Sequence, residues 1–565
     1  MDNNFQIYRS SAGSGKTYTL ALNFIALALK GDRYGYENYY RRILAITFTN
    51  KAASEMKERI LFYLDSLAKE EDKDRILDWL KEGTKLPESE IFQRAALIHK
   101  HILHHYSDLS VSTIDKFTYK IVRTFAIELG LSNNFDLEMD PYKIIQPVVA
   151  LLLSKISYSG GELSSALVNF AMQKADDEKS TNIEKDLEEF AQQLFKEEVS
   201  QLTNGKILTV SQSMQVRKDL QTAKIDITKK VKDLANRVCA FFDNNGLTHD
   251  HFLRGTFYKH FSINVGHKQD KRWIPSDVLL KNVFDDVWYA DGKKKDVKDL
   301  VDALKPQLTQ FFTELMNLLI EYNSVIAVMQ NIYSIAVLNE LLREIRRYKR
   351  ENNIEQIATF NTKIHKVVAN QPSSFIYERL GERYNHYLID EFQDTSLLQW
   401  QNVLPLVVDS LDYGKSLVVG DGKQSIYRWR GGDVEQFYQL PNIYKGQDLF
   451  FKEDWETKLN THFKANHLAS NFRSRKHIIE FNNQFFENTK TLLSQDIIGI
   501  YDKAEQESKQ AKEGGYVHIE LLGDKENDAT TLILEKLVSE IKKLKEKNNY
   551  SYSDVAILCN SKKSV

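Results

Sequence analysis

Ser10-Ser11-Ala12-Gly13-Ser14-Gly15-Lys16-Thr17 decides how the rest of the chain is read. A short apolar alternation, Phe5, Ile7 and Tyr8, precedes it and predicts a strand. The apolar run from Tyr18 to Leu29 follows it and predicts a buried helix. Strand, glycine-rich turn and helix together form a cradle for an anion. Backbone N–H groups of the turn point inward, and the helix N-terminus adds partial positive charge. In that geometry Lys16 reaches the outer phosphates of a nucleotide and the Thr17 hydroxyl sits on Mg²⁺. Ser10 stands where the usual pattern has its first glycine, whereas Gly13, Gly15, Lys16 and Thr17 are intact.

The surrounding chain bounds what this cradle can belong to. Its 565 residues suggest roughly three to five domains. Charged residues at 27% and hydrophobic ones at 42% are ordinary for a globular protein. A net charge of −2 excludes a global basic field, so nucleic-acid binding has to come from a local groove. Cys239 and Cys559 lie far apart and follow no ligand spacing. That excludes a disulfide framework, a zinc ribbon or a four-cysteine cluster within the chain, and points to a reducing, cytoplasmic setting. Met1-Asp2-Asn3-Asn4 is not a signal-peptide start, and the run Leu20 to Leu29, broken by Asn23, is too short to span a membrane. No membrane partner is expected.

Beyond the first helix, Ile43-Leu44-Ala45-Ile46-Thr47-Phe48 predicts a buried parallel strand. A helix capped near Thr49 or Asn50 follows, and charged helical sequence continues to about Tyr106. Leu109 to Ile114 predicts a third strand, leading into a helix from Asp115 to Leu129. From about Ser132 to Ser374 strand signals are few, and amphipathic helices read at Tyr142–Ile156, Asn182–Val199, Ser213–Asp243 and Asp296–Tyr348. Strand signals return at Tyr387–Asp390, Ser416–Gly420 and Tyr516–Leu522, followed by a helix at Ala529–Lys547 and a strand at Asp554–Leu558. The expectation is an α/β domain in two parts, 1–131 and 375–460, interrupted by a helical insertion, 132–374. Residues 461–565 would open a second α/β domain that is incomplete at Val565.

A phosphate cradle needs an acidic partner for Mg²⁺ and a base near the terminal phosphate. Asp390-Glu391-Phe392-Gln393-Asp394-Thr395, at the end of a predicted buried strand, supplies both. Asp390 is the candidate to hold Mg²⁺ through its water shell, and Glu391 to polarise the attacking water. A third strand end runs from Val419 to Gly432. In it Gln424 is placed to touch the terminal phosphate. Trp429, between Arg428 and Arg430, suits stacking of a base beside phosphates.

Taken together, these stretches resemble the UvrD/Rep-like superfamily 1 DNA helicases. Ser11–Thr17 matches the phosphate-binding motif, and Thr47-Phe48-Thr49-Asn50-Lys51-Ala52-Ala53 looks like the second motif. Ser112-Thr113-Ile114-Asp115-Lys116-Phe117 resembles the next DNA-contacting motif. Asp390–Thr395 with Gln399 is similar to the acidic motif, and Gly420–Gly432 to the coupling motif. Asn471-Phe472-Arg473-Ser474 resembles the motif that opens the second motor domain. The missing N-terminal extension, the long insertion and Phe125–Leu131 look more like the RecB/AddA branch. The fold so implied is α/β: a RecA-like P-loop NTPase motor domain with a large all-α insertion and the start of a second RecA-like domain.

The resemblance also implies roles. Ser11, Ala12, Gly13, Ser14, Gly15, Lys16 and Thr17 would hold ATP, with Thr17 and Asp390 on Mg²⁺. Lys16, Asp390, Glu391 and Gln424 would form the catalytic set, and Arg473 would reach the γ-phosphate as an arginine finger does. Phe472 takes the place of an aromatic that packs on adenine. Thr47, Phe48, Asn50, Thr113 and Trp429 would contact single-stranded DNA. Asp115 departs from the pattern, which has His there; a carboxylate at that place would repel a phosphate. The family's adenine-reading glutamine lies further upstream than Gln6, so Gln6 is not given that role.

The function implied is ATP-dependent 3′-to-5′ movement on single-stranded or duplex-end DNA in double-strand break repair. A nuclease domain elsewhere and a second helicase–nuclease subunit would be its partners. The alternative is a scaffold that binds ATP and DNA without motor activity, and an RNA substrate is compatible with the same motifs. Two later motifs of the second motor domain are not found before Val565. The expectation is therefore weak nucleotide binding, very low ATPase activity and no unwinding by the chain alone. His99, His101, His104 and His105 read as solvated or capping residues, Arg343–Arg350 as a solvated basic face, and Lys293–Lys295 as an exposed turn.

Overall fold

The protein is described from a computed structural model. It describes residues 3–559 apart from 33–34, 73–74, 133, 139, 160, 162, 169–171, 173–181, 196–207, 266–269, 369–382, 448, 494–497, 502–504, 509–511, 522–528 and 549. The boundary expected at 374 lies outside the described residues. By packing the chain divides into two compact units, one of Met1–Ser10 with Lys16–His467, the other of Ser11–Gly15 with Leu468–Val565.

The first unit is built on six strands: β1 (Phe5–Ser10), β2 (Ile43–Thr47), β3 (Val111–Thr113), β6 (His386–Ile389), β7 (Ser416–Gly420) and β8 (Phe463–Leu468). They form one sheet in the order β3-β2-β6-β7-β1-β8. The pairs β1–β7, β7–β6, β6–β2 and β2–β3 are all parallel. Successive residues of each central strand enter different cores. Leu44, Ile46, Tyr387, Ile389 and Val418 pack on one face. Ile43, Ala45, Leu388, Leu417 and Val419 pack on the other. A strand buried on both faces must be apolar throughout, which is why β2 and β7 read as continuous runs.

On one face lie α1 (Lys16–Lys30), α2 (Asn50–Ala68), α3 (Leu77–Thr84) and α4 (Glu88–His104). On the other lie α5 (Ile114–Thr124) and the helices Ile357–Val368 and Leu397–Ser410. Thr49 caps α2 by accepting a hydrogen bond from the Ala52 N–H, so the helix starts where the sequence predicts. The three-layer arrangement is the α/β fold expected, and the helical insertion interrupts it.

The insertion has cores of its own. Helices Val210–Asn244 and Lys295–Glu351 pack together around Phe242, Phe257, Trp288 and Phe312. The later turns of the 57-residue helix Lys295–Glu351 join a second core with Ile144, Val148 and Leu187. A short parallel pair, β4 (Asp136–Glu138) and β5 (Ile354–Gln356), brings the two ends of the helical segment together. Among the described residues no single helix is long and apolar enough to cross a membrane.

Several expectations change. β8 was not predicted: Phe-Lys-Ala-Asn-His-Leu is half-buried or exposed throughout and carries no apolar run. β4 and β5 are three residues each and fall below any periodic signal. The helix expected over Asn182–Val199 is described only as Ile183–Gln193; residues 196–199 lie outside the described residues. The strands expected at Tyr516–Leu522 and Asp554–Leu558 are not formed among the described residues, and Leu522 lies outside them. Alternating apolar residues make a strand only where a neighbour completes the ladder and a core takes one face. Here Tyr516 and Leu521 stay largely exposed. Residues 552–554 form a single 3₁₀ turn instead.

Candidate nucleotide and strand-binding site

In the first unit the carboxyl ends of β1, β6 and β7 lie side by side, and the candidate catalytic residues gather there. Crevices at the strand ends of a parallel α/β sheet are the usual place for ligands. Lys16, the first residue of α1, donates from Nζ to Glu391 Oε2 at 3.0 Å and to Gln424 Oε1 at 3.1 Å. Thr17 Oγ1 lies 3.5 Å from Asp390 Oδ2. Asp390 continues β6, its N–H donating to the Ile46 carbonyl at 2.8 Å. Glu391 has φ of 50°, an uncommon left-handed conformation for a residue with a side chain. Its N–H donates to Asp390 Oδ1 at 3.0 Å, which helps to hold that turn.

Two polar residues not assigned from sequence, Gln393 and Asp421, complete the arrangement. Gln393 Nε2 donates to Glu391 Oε2 at 2.7 Å, while Gln393 Oε1 accepts from the Asp421 N–H at 2.9 Å. Asp421 Oδ2 accepts from Gln424 Nε2 at 2.9 Å. The bonds close a circuit: Lys16, Glu391, Gln393, Asp421, Gln424 and back to Lys16. Lys423 also pairs with Asp421, at 2.8 Å. A polar residue two places after a strand-end acid pair is the signal that marks Gln393. Asp394 lies behind this circuit, its carboxyl pushed up to about 6 by burial first and by Glu391 second.

Asp390 is buried, and burial together with the neighbouring Glu391 raises its carboxyl above the ordinary range, Lys16 pulling it back. The Lys16 ammonium therefore under-compensates Asp390 and Asp394. An adjacent hydroxyl and carboxylate, both oxygen donors, fit a hard cation that takes few protein ligands.

The second unit contains the turn Ser11–Gly15. Gly13 and Gly15 have φ of 76° and 84°. Ser14 donates from both N–H and Oγ to the Ser11 carbonyl. The Asn471 and Gln506 amides donate to the Ala12 carbonyl at 3.1 and 2.7 Å, and the Phe472 N–H to the Gly13 carbonyl at 2.9 Å. Asn471 Oδ1 accepts from the N–H groups of Arg473 and Ser474 at 2.9 Å each. Phe472 and Arg473 are themselves exposed.

The candidate strand-contacting residues divide. Phe48 packs on Tyr427 with ring centroids 4.6 Å apart, and Tyr427 lies 6.1 Å from Trp429, which is 70% exposed. Arg430 lies over all three rings, at 5.9, 5.9 and 5.1 Å from Phe48, Tyr427 and Trp429. This is a half-buried aromatic platform ending in the exposed Trp429, with a cation over it. Asn50 is exposed at the start of α2. Thr47 and Thr113 are buried and locally engaged: the Thr47 hydroxyl donates to the Thr49 carbonyl, and Thr113 caps α5. Arg430 was read from sequence as a cation flanking Trp429; Tyr427 was not singled out, although the stretch containing it was.

Other features have plain structural roles. His101 lies 3.1 Å from Asn38 and His105 ends α4; no metal-binding cluster is present among the described residues. Arg343, Arg347 and Lys349 of the basic face pair with Glu340, Glu351 and Glu355.

A parallel sheet with a glycine-rich turn after β1 and acids after β6, one strand further in, defines a P-loop α/β protein. Residues 2–445 match the UvrD/REP helicase N-terminal domain, and residues 466–565 match the UvrD-like helicase C-terminal domain. The chain belongs to the UvrD/Rep helicase family. It is similar to a protein of Clostridium novyi named as an ATP-dependent helicase/nuclease subunit, 26% identical over 562 residues, covering 92% of this chain and 41% of that protein. The Staphylococcus aureus (strain MRSA252) protein of the same name is 23% identical over 520 residues, with coverage of 88% and 39%. That of Streptococcus pneumoniae (strain ATCC 700669 / Spain 23F-1) is 22% identical over 612 residues, with coverage of 98% and 44%. The chain thus spans about two fifths of the length of the curated relatives it matches.

Proposed function

We propose that the chain is the ATP-binding motor portion of a DNA helicase that acts with a nuclease. The observation that carries this is the meeting of Lys16 with Glu391 and Gln424, beside Thr17 and Asp390, at the ends of adjacent parallel strands. ATP is the nucleotide, cradled by Ser11–Thr17, with Arg473 toward its γ-phosphate and Phe472 against its base. Thr17 and Asp390 hold Mg²⁺, which when bound neutralises charge on the phosphates. Lys16 exchanges its bond to Glu391 for phosphate oxygen, leaving Glu391 free to accept a proton from the attacking water. Gln393 keeps the Glu391 carboxylate aimed during that exchange.

Single-stranded DNA lies on Phe48, Asn50 and Trp429 and is moved 3′ to 5′. The work is double-strand break repair, with duplex ends as the entry point; the partner is a second helicase–nuclease subunit. The relatives' names support this part of the reading. A cytoplasmic location is part of it, supported by two cysteines that are both free thiols. We further propose 1–131 with 375–460 as the first motor domain, 132–374 as its insertion and 461–565 as the start of the second.

The test is ATP hydrolysis by the longer helicase of which this chain is the motor portion, with single-stranded DNA or RNA added, and strand displacement from 3′- and 5′-tailed duplexes. DNA-stimulated hydrolysis and displacement from 3′ tails only are expected. Equal stimulation by RNA overturns the substrate, and displacement from 5′ tails overturns the polarity.

A further inference from the structure

Gln506 belongs to none of the stretches read as motifs, yet its side chain reaches the cradle. The turn Ser11–Gly15 and the residues from Leu468 onward form one compact unit. Within it Gln506 Nε2 donates to the Ala12 carbonyl at 2.7 Å, and Asn471 Nδ2 donates to the same oxygen at 3.1 Å. The two amides also meet each other, Asn471 Nδ2 donating to Gln506 Oε1 at 2.9 Å. A carbonyl oxygen has two lone pairs, and two donors occupy this one. The approach is close. A Cβ on Gly13 would lie 2.7 Å from Asn471 Oδ1 and 2.8 Å from the Arg473 Cβ, so the turn has no room for a side chain there.

The backbone of Gln506 is anchored separately from that contact. Its N–H donates to Asn483 Oδ1 at 3.0 Å, and its carbonyl accepts from Asn483 Nδ2 at 2.8 Å. Asn483 lies on the helix Lys476–Thr489. The next residue, Glu507, donates from its N–H to the Ala469 carbonyl at 2.9 Å and accepts from the Asn471 N–H at 3.1 Å. The Gln506 side chain is therefore an arm on a fixed mounting, aimed at the turn before any ligand arrives.

In a trans peptide the carbonyl and the following N–H point to opposite sides. Holding the Ala12 carbonyl toward Gln506 and Asn471 turns the Gly13 N–H away from them. Gly13, with φ of 76°, has no Cβ to resist rotation of that peptide. Rotated, the peptide would present a carbonyl oxygen where an anion needs a donor. We propose that Gln506 is a positioning residue for phosphate: with Asn471 it clamps the Ala12 carbonyl and so fixes the Gly13 N–H as a donor of the cradle. The inference rests on the reading above that Ser11–Thr17 holds the phosphates of a nucleotide. A role confined to seating residues 505–507 on their helix gives the side chain no influence on phosphate affinity.

The test uses the 565-residue chain with Mg²⁺ and two probes, a fluorescent ATP analogue titrated directly and inorganic tripolyphosphate as its competitor. Tripolyphosphate has no base or sugar, so its affinity reports the cradle alone. Gln506→Ala removes one donor and leaves the backbone anchored through Asn483. It should weaken both probes by the same factor, about tenfold, the size of one lost hydrogen bond. Gln506→Glu has the same length, cannot donate when ionised and sets a carboxylate against the Ala12 carbonyl. It should weaken both probes further than Gln506→Ala does, and it decides the matter if Gln506→Ala fails to fold. Wild-type affinity in the variants, or a loss for the ATP analogue with none for tripolyphosphate, overturns the inference while the nucleotide site stands. Failure of the wild-type chain to bind the ATP analogue overturns the inference and the underlying reading together.

Discussion

Glu391 is the residue on which most of the chemistry converges. It accepts hydrogen bonds from both Lys16 and Gln393, and it sits in a left-handed backbone conformation after the buried Asp390. A carboxylate so restrained is pre-aimed, and pre-aiming is where positioned bases gain their rate. Glu391→Gln is expected to slow ATP hydrolysis by about 10²- to 10⁴-fold while nucleotide binding persists. Gln393→Ala removes the restraint and leaves the base, so a smaller loss, between about 10- and 100-fold, is expected in turnover with little change in nucleotide affinity. Steady-state hydrolysis and nucleotide titration of both variants check this. A Gln393→Ala enzyme as fast as wild type would show that the circuit is ornamental. Gln393 escaped sequence reading because its partner Asp421 is 28 residues away and only the fold joins them.

At the scale of elements, the sheet was legible where burial on both faces forced unbroken apolar runs, as in Ile43–Thr47 and Ser416–Gly420. The cradle was legible because its chemistry is local and its residues adjacent. β8 was not, because a polar, half-exposed strand is specified by the edge of the sheet that it joins. The expected strands at 516–522 and 554–558 carry the right alternation, but no described strand pairs with them. In β6, His386 is buried, its Nδ1 accepting from the Lys415 N–H at 2.8 Å and its Nε2 lying 2.9 Å from the Tyr39 hydroxyl. Burial pushes its pKa down to about 4. A depressed histidine is bound to fewer protons in the folded state than in the unfolded one. Its stabilising effect is therefore complete above the ordinary value of 6.5 and is lost as pH falls from there toward 4. Denaturant unfolding should show stability falling across that window, with His386 contributing up to about 1.4 kcal/mol per pH unit. His386→Gln should flatten the slope; an equally steep slope in the variant would place the acid sensitivity elsewhere, with His260 the other buried histidine whose pKa lies near 4.

At the scale of the whole molecule, apolar burial is distributed unequally between the two units. The first unit holds the two cores that sandwich the sheet and those of the insertion. In the second, Ile479 is fully buried, whereas Phe472, Leu492, Ile519, Leu521 and Leu558 are mostly exposed. Local stability follows buried apolar contact. Amide hydrogen exchange is expected to be slow in β1, β2, β6 and β7 and orders of magnitude faster beyond residue 468; equal protection in both would contradict this partition. The central claim is that Lys16 marks a nucleotide site built at the ends of β1, β6 and β7. Its most direct test is titration of the 565-residue chain with a fluorescent ATP analogue in the presence of Mg²⁺, comparing wild type with Lys16→Ala. Saturable binding that Lys16→Ala weakens by about 100-fold or more, with single-stranded DNA binding unchanged, is the predicted result. Binding of equal strength in the two proteins would contradict the account.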